Sequence, residues 1–196
     1  SHPKQQFSMV LLDPHGDVSE QLLGLRLNTD KPQRLVYIDA GLSSSHIPCL
    51  NPFWERKENP VLVDLMAQQW SKAFSELIPE AGMSLQMETL LKPCLAVMFA
   101  SGGCGLGDLQ DFMDDATNAG WIEKGRRSAN PVYRSFFGNA FPNKKYALTK
   151  LAIYTRLQHL ANNHYFHAMM NGPCTVAPLR SSENDARTLR LKYGLT

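Results

Sequence analysis

From Pro60 to Gly172 the apolar residues recur three and four positions apart, and that period commits most of the chain to helices. Val61 to Ile78 carries Leu62, Leu65, Met66, Trp70 and Phe74 on this spacing and closes at Pro79. Ser84 to Ala100 follows as a second long helix, with Leu85, Leu91, Leu95, Met98 and Phe99, and with Pro93 as a point for a kink. Gly102, Gly103, Gly105 and Gly107 stop it. The spacing predicts a short third helix over Asp108–Ala116, a fourth over Pro131–Phe137 and a fifth over Asn143–Asn162. Residues 164–171 add a final turn or two, and beyond Gly172 the chain is polar and unpatterned.

The first part of the chain is of another kind. Phe7 to Asp13 is an apolar run of strand formers that ends abruptly in Asp13-Pro14-His15-Gly16-Asp17. Asp17 or Ser19 can cap a helix from Val18 to Leu27, and Arg34-Leu-Val-Tyr-Ile-Asp39 reads as a second strand. Strand, helix and strand in that order form a βαβ unit, so the sheet is expected to be parallel. Two strands do not complete a sheet, and the segment reads as part of a larger α/β domain. The expected fold is mainly α, with an all-helical domain over residues 59–172 attached to a partial α/β segment over 1–58 and followed by a polar tail over 173–196.

Hydrophobic residues make up 43% and charged residues 19%, which excludes a disordered chain. The longest apolar run, Leu90 to Ala100, falls short of the roughly 18 residues a membrane span needs. Ser1 to Gln6 lacks the pattern of a secretory signal, and Ser1-His2 reads as the remnant of a purification tag. Cys49, Cys94, Cys104 and Cys174 form no CxxC pair, so reduced thiols of a cytoplasmic protein are expected rather than disulfides or a zinc site. The net charge of +2 conceals a division: residues 1–119 hold 8 basic and 15 acidic residues, and 120–196 hold 12 and 3. A basic rear half suits a nucleic-acid partner, or simply balances the acidic front.

Carboxylates at the end of a parallel strand stand where α/β domains bind ligands, so Asp13, His15, Gly16 and Asp17 are candidates for an ATP-site periphery. The bland alternative makes Asp13 a turn former and helix cap. No GxxxxGK[ST] phosphate loop is present. Gly120-Trp-Ile-Glu-Lys-Gly125-Arg126-Arg127 copies its glycine spacing, but two arginines replace Lys-Ser/Thr. Neither Asp13 nor Asp39 is followed by Glu, so a Walker B pair is missing as well. Hydrolysis by this chain alone is not expected. His164-x-x-His167 lacks a third ligand at a telling distance, so no metal site is expected, and no nucleophile elbow supports a catalytic triad. Lys124, Arg126, Arg127, Arg134, Lys144, Lys145, Lys150 and Arg156, interleaved with aromatics, are the candidate nucleic-acid contacts. The aromatics also recur at helical spacing and so qualify as core.

Met9-Val-Leu-Leu-Asp-Pro-His-Gly-Asp-Val-Ser-Glu20, then Arg34–Asp39, then Ile47-Pro-Cys-Leu-Asn-Pro-Phe53 resembles the HerA/FtsK-like motor ATPases, and among them the coupling proteins of conjugation and type IV secretion. In that family an Asp-Pro-x-Gly-Asp strand end, a second strand and a Leu-Asn-Pro segment precede an inserted all-α domain. Met83–Leu91 and Leu106–Phe112 resemble helices of that domain more loosely. The resemblance implies that residues 1–58 belong to a RecA-like nucleotide-binding domain lacking its phosphate loop. It implies a hexameric parent that pumps DNA at the cytoplasmic face of the bacterial inner membrane, with ATP and magnesium as its cofactors. It implies DNA, a relaxase with its relaxosome, secretion-channel proteins and sister subunits as partners, with no cofactor and no membrane contact for this stretch itself. A helical protein–protein adaptor without DNA contact, or a piece of a HerA-like or VirB-type motor, are the competing expectations.

Overall fold

Helices form where the apolar period places them, and a few polar residues decide how they close. The computed structural model describes residues 11–25, 37–39, 47–77 and 84–173. The chain divides into two compact units, residues 1–38 with 177–196, and Asp39–Val176.

In the first unit the described residues form one short helix, α1 (Asp17–Leu23), whose N-cap is Gly16. The strand expected over Phe7–Asp13 lies outside the described residues as far as Val10, and Leu11–Asp13 are irregular. The first half of Arg34–Asp39 also lies outside them, and Tyr37–Asp39 are irregular. Among the described residues there is no strand, and a parallel-sheet, RecA-like segment finds no support in them.

The second unit is the helical block. Its helices are α2 (Pro60–Leu77), α3 (Leu85–Ser101), α4 (Leu106–Met113), α5 (Ala119–Arg126), α6 (Pro131–Ser135), α7 (Ala147–Ala161) and α8 (His164–Asn171). A π turn over Phe136–Ala140 follows α6, and a 3-10 turn over Lys144–Tyr146 leads into α7. Side-chain caps start several of these: Ser84 accepts from Met87 N–H, Asn130 from Val132 N–H and Asn163 from Phe166 N–H. The periodicity missed α5, where Gly120 and Gly125 mask a helix that carries Trp121 and Ile122 on its packed side.

α3 is the centre of the block. Every residue from Pro93 to Phe99 is buried, as befits a helix with neighbours on all sides, and α2, α4, α5 and α7 pack against it. The helix continues through Pro93, whose ring leaves the Thr89 carbonyl without its helical donor, on an exposed turn that water can reach. Phe53, Trp70, Phe74 and Phe99 form one aromatic cluster, with Phe53 and Phe99 at 4.9 Å. Phe112, Trp121, Phe136, Phe137 and Phe141 form another, in which the π turn sets both Phe137 and Phe141 against Phe112.

The Leu-Asn-Pro segment packs inside the helical block. Asn51 is 1% exposed. Its amide donates to the carbonyls of Cys104, at 2.6 Å, and Gly172, at 3.0 Å, while its oxygen accepts from Phe53 N–H at 3.0 Å. Leu50 N–H donates to the Met169 carbonyl, and the Cys49 thiol donates to those of Met169 and Gly172. The incoming segment also bonds the glycine loop, since Gly103 N–H reaches Trp54 O and Lys57 N–H reaches Phe99 O. Gly102 is indispensable there. Its φ is +68°, and a Cβ on it would lie 2.7 Å from the Arg56 nitrogen. The block therefore begins and ends at one place.

Candidate nucleic-acid interface and the Asp-Pro-His-Gly-Asp loop

The Asp13 loop is organised from within. Asp13 accepts from Ser19 N–H at 2.8 Å through one oxygen and from His15 N–H at 3.3 Å through the other. Ser19 Oγ in turn donates to the Gly16 carbonyl at 2.9 Å, and Gly16 takes a φ of +86° that glycine adopts freely. The Ser19 N–H bond, above all, holds the Asp13 carboxyl below the ordinary aspartate range. Asp13 thus does the work of a turn former that steadies the start of α1, and His15 and Asp17 are the exposed polar side chains beside it.

The phosphate-loop look-alike at Gly120 is α5, and a helix has no cradle of outward N–H groups along its length. Gly125 is needed there for packing, because a Cβ would fall 2.3 Å from the Phe137 ring.

Of the eight candidate cations, Lys124, Arg126 and Arg127 lie on the last turn of α5 and its cap, where they also complement the helix dipole. Lys124 Nζ sits 3.9 Å from the Trp121 ring centre, and Glu123 holds Arg127 at 2.8 Å and Arg126 at 3.9 Å. Arg134 on α6 donates to the carbonyls of Ser128, at 2.7 Å, and Ala129, closing the turn that follows α5. These four cations therefore belong to adjoining elements and are exposed. Lys144 and Lys145 are exposed on a separate element, the turn before α7. Arg156 is partly buried and donates to Ala152 O.

Lys150 must be removed from any such surface. It is 2% exposed, its ammonium lies 2.5 Å from Asp115 Oδ1 and 4.3 Å from the Phe141 ring centre, and it ties α7 to the turn between α4 and α5. Asp115 is held below the usual aspartate range by this contact first, and by Asn118 as well. No sequence spacing announces a pair 35 residues apart, whereas the Glu123–Arg127 pair at i,i+4 was open to reading.

The interleaved aromatics are core. Tyr133 and Phe137 are buried, and Trp121 stacks on Phe112 at 5.3 Å. Tyr133 also donates to Asp64 on α2, which Lys92 on α3 approaches at 3.4 Å. The Tyr133 bond lowers the Asp64 carboxyl, while burial and then that carboxylate push the Tyr133 hydroxyl up. A shallow cleft of about 70 Å³ opens beside them, between Lys57, Asp64, Asn130 and Tyr133. Lys57 there is paired with Glu55, and Asp64 is engaged by Tyr133 and Lys92.

No family model, no curated protein and no solved structure matches the chain. His164 and His167 are exposed on α8, and among the described residues no group of three metal-ligating side chains converges. Burial raises the Cys94 thiol well above its ordinary range and the Cys104 thiol to about 11, with Asp108 adding to the latter, so neither is a ready nucleophile. Among the described residues no helix is long and apolar enough to cross a membrane.

Proposed function

We propose that the chain is the substrate-recognition part of an ATP-driven DNA translocase of conjugation or type IV secretion, acting by holding DNA and relaxosome proteins. The observation that carries this reading is the adjacency of Cys49–Phe53 to Met169–Gly172, bonded side by side in an otherwise helical block. A domain inserted into a host needs its two ends together, so that the host chain can leave and return at one place. The Leu-Asn-Pro segment stands at that junction, as it does in the order of motifs along the coupling proteins. On this reading Asp13, His15, Gly16 and Asp17 belong to the periphery of the parent's ATP site. ATP, magnesium, sister subunits and the cytoplasmic face of the inner membrane belong to the parent too.

DNA contact on this reading falls to the phosphate backbone. Lys124, Arg126, Arg127 and Arg134 project from adjoining elements, while the nearby rings are occupied in packing and have no face for a base. Binding should then be indifferent to sequence and steeply salt-dependent, each phosphate neutralised adding about 0.9 to the logarithmic slope. Fluorescence anisotropy with a labelled duplex across a salt series tests this. Replacing Arg126, Arg127 and Arg134 with Gln should weaken binding about tenfold or more and flatten the slope. A wild-type chain that ignores DNA at low salt would leave the helical adaptor as the surviving reading.

A further inference from the structure

The outward face of α7 has no part in the reading above. Its inward side carries Thr149, Lys150, Ile153 and Leu157. Its outward side carries Leu148 and Leu151, 80% and 60% exposed, at an i,i+3 spacing that merges them into one apolar spot. Lys144 and Lys145 are exposed one turn before it, and among the described residues neither has a carboxylate within ion-pair distance. Elsewhere in the block Lys57, Lys72, Lys92, Arg126, Arg127 and Lys150 each meet an acidic side chain. Among the described residues Arg56, Lys124 and Arg134 share with Lys144 and Lys145 the lack of one, but they stand beside no pair of exposed leucines on their own helix turn. No acidic residue occupies the first turn of α7. Two cations without acidic partners, one of them 4.9 Å from the Tyr146 ring centre, therefore precede by one turn two leucines that stand largely exposed.

We propose that this face docks an acidic amphipathic helix of a protein partner, whose apolar side covers Leu148 and Leu151 while its carboxylates meet Lys144 and Lys145. The combination selects the partner's chemistry. A nucleic-acid backbone would satisfy the lysines and leave the leucines wet. A lipid surface needs a longer apolar stripe, and here the face turns to Thr155, Gln158 and His159 beyond Leu151. The proposal stands whether or not the parent is a DNA translocase.

The test uses a fluorescent helical peptide with leucines three and four apart and glutamates on its flanks, beside a scrambled peptide of the same composition. The ordered peptide should bind at least about tenfold tighter than the scramble. The pair Lys144→Glu/Lys145→Glu, and separately Leu148→Ser/Leu151→Ser, should each cost about tenfold or more. NMR amide shifts should cluster at residues 144–155. The charge reversal places acids at a helix N-terminus, where they suit the dipole, so its melting temperature should not fall and lost binding will not be lost folding. Equal affinity for the scramble, or indifference to the leucine pair, overturns the proposal. So does leucine-dependent capture on phosphatidylglycerol vesicles, or self-association abolished by the same variants, each of which assigns the face to another occupant.

Discussion

Asp13 and Asn51 both stand in the motifs that carry the family resemblance, yet they bond on very different scales. Asp13 completes its hydrogen bonds within six residues and stays near solvent. Asn51 is buried and joins carbonyls 53 and 121 residues away. A residue satisfied by its own loop can be lost locally. One satisfied by distant segments cannot be lost without loosening all of them.

The largest effect expected from that contrast is at Asn51. Asn51→Ala leaves the Cys104 carbonyl and Phe53 N–H without their buried partner, at about 2–4 kcal/mol for the two together, read as a fall in the unfolding midpoint of the block. An unchanged midpoint would erase the distinction drawn between the two residues. Gly102→Ala comes next, at about 2 kcal/mol, because it combines a positive φ with a clash against Arg56 backbone.

Asp115→Ala strands the buried Lys150 ammonium and should cost about 1–2 kcal/mol, discounted because Asp115 itself is largely exposed. Lys150→Met, which removes the charge and keeps the apolar stem, should cost less, and denaturant midpoints for the two will rank them.

The pH profile should show two shoulders. The lowered Asp64 and Asp115 carboxyls stabilise fully above the ordinary aspartate value of 3.8, and that contribution is lost as pH falls below it. The raised Tyr133 hydroxyl stabilises fully below 10.0 and its contribution is lost as pH climbs beyond. Tyr133→Phe should therefore flatten the alkaline shoulder and soften the acid one. The smallest effect is at Asp13, where Asp13→Ala should leave the cooperative unfolding of the block unmoved.

α2 and α7 were legible to within a few residues because burial on one face imposes an apolar period, and α3, buried all round from Pro93 to Phe99, was legible as a long apolar run. α5 was not, since its glycines resemble punctuation and Gly125 is small for the sake of Phe137, a residue whose proximity no local pattern encodes. Among the site residues, Lys124, Arg126, Arg127 and Arg134 kept the exposed positions that a charge run suggests. Lys150 did not: its position 35 residues from Asp115 is a tertiary fact, and hydropathy places a lysine outside by default. The role of Asn51 was equally hidden, for an Asn before Pro reads first as a turn.

The clasp between Cys49–Phe53 and Met169–Gly172 also has a mechanical meaning. Tension applied to the block through its two ends bears first on the Leu50–Met169 and Asn51–Gly172 bonds. The helices behind that clasp are shielded until it opens. A pulling experiment should record an early yield that Asn51→Ala lowers, followed by rupture of the core. The clasp thus takes up tension at the block's ends before any helix does.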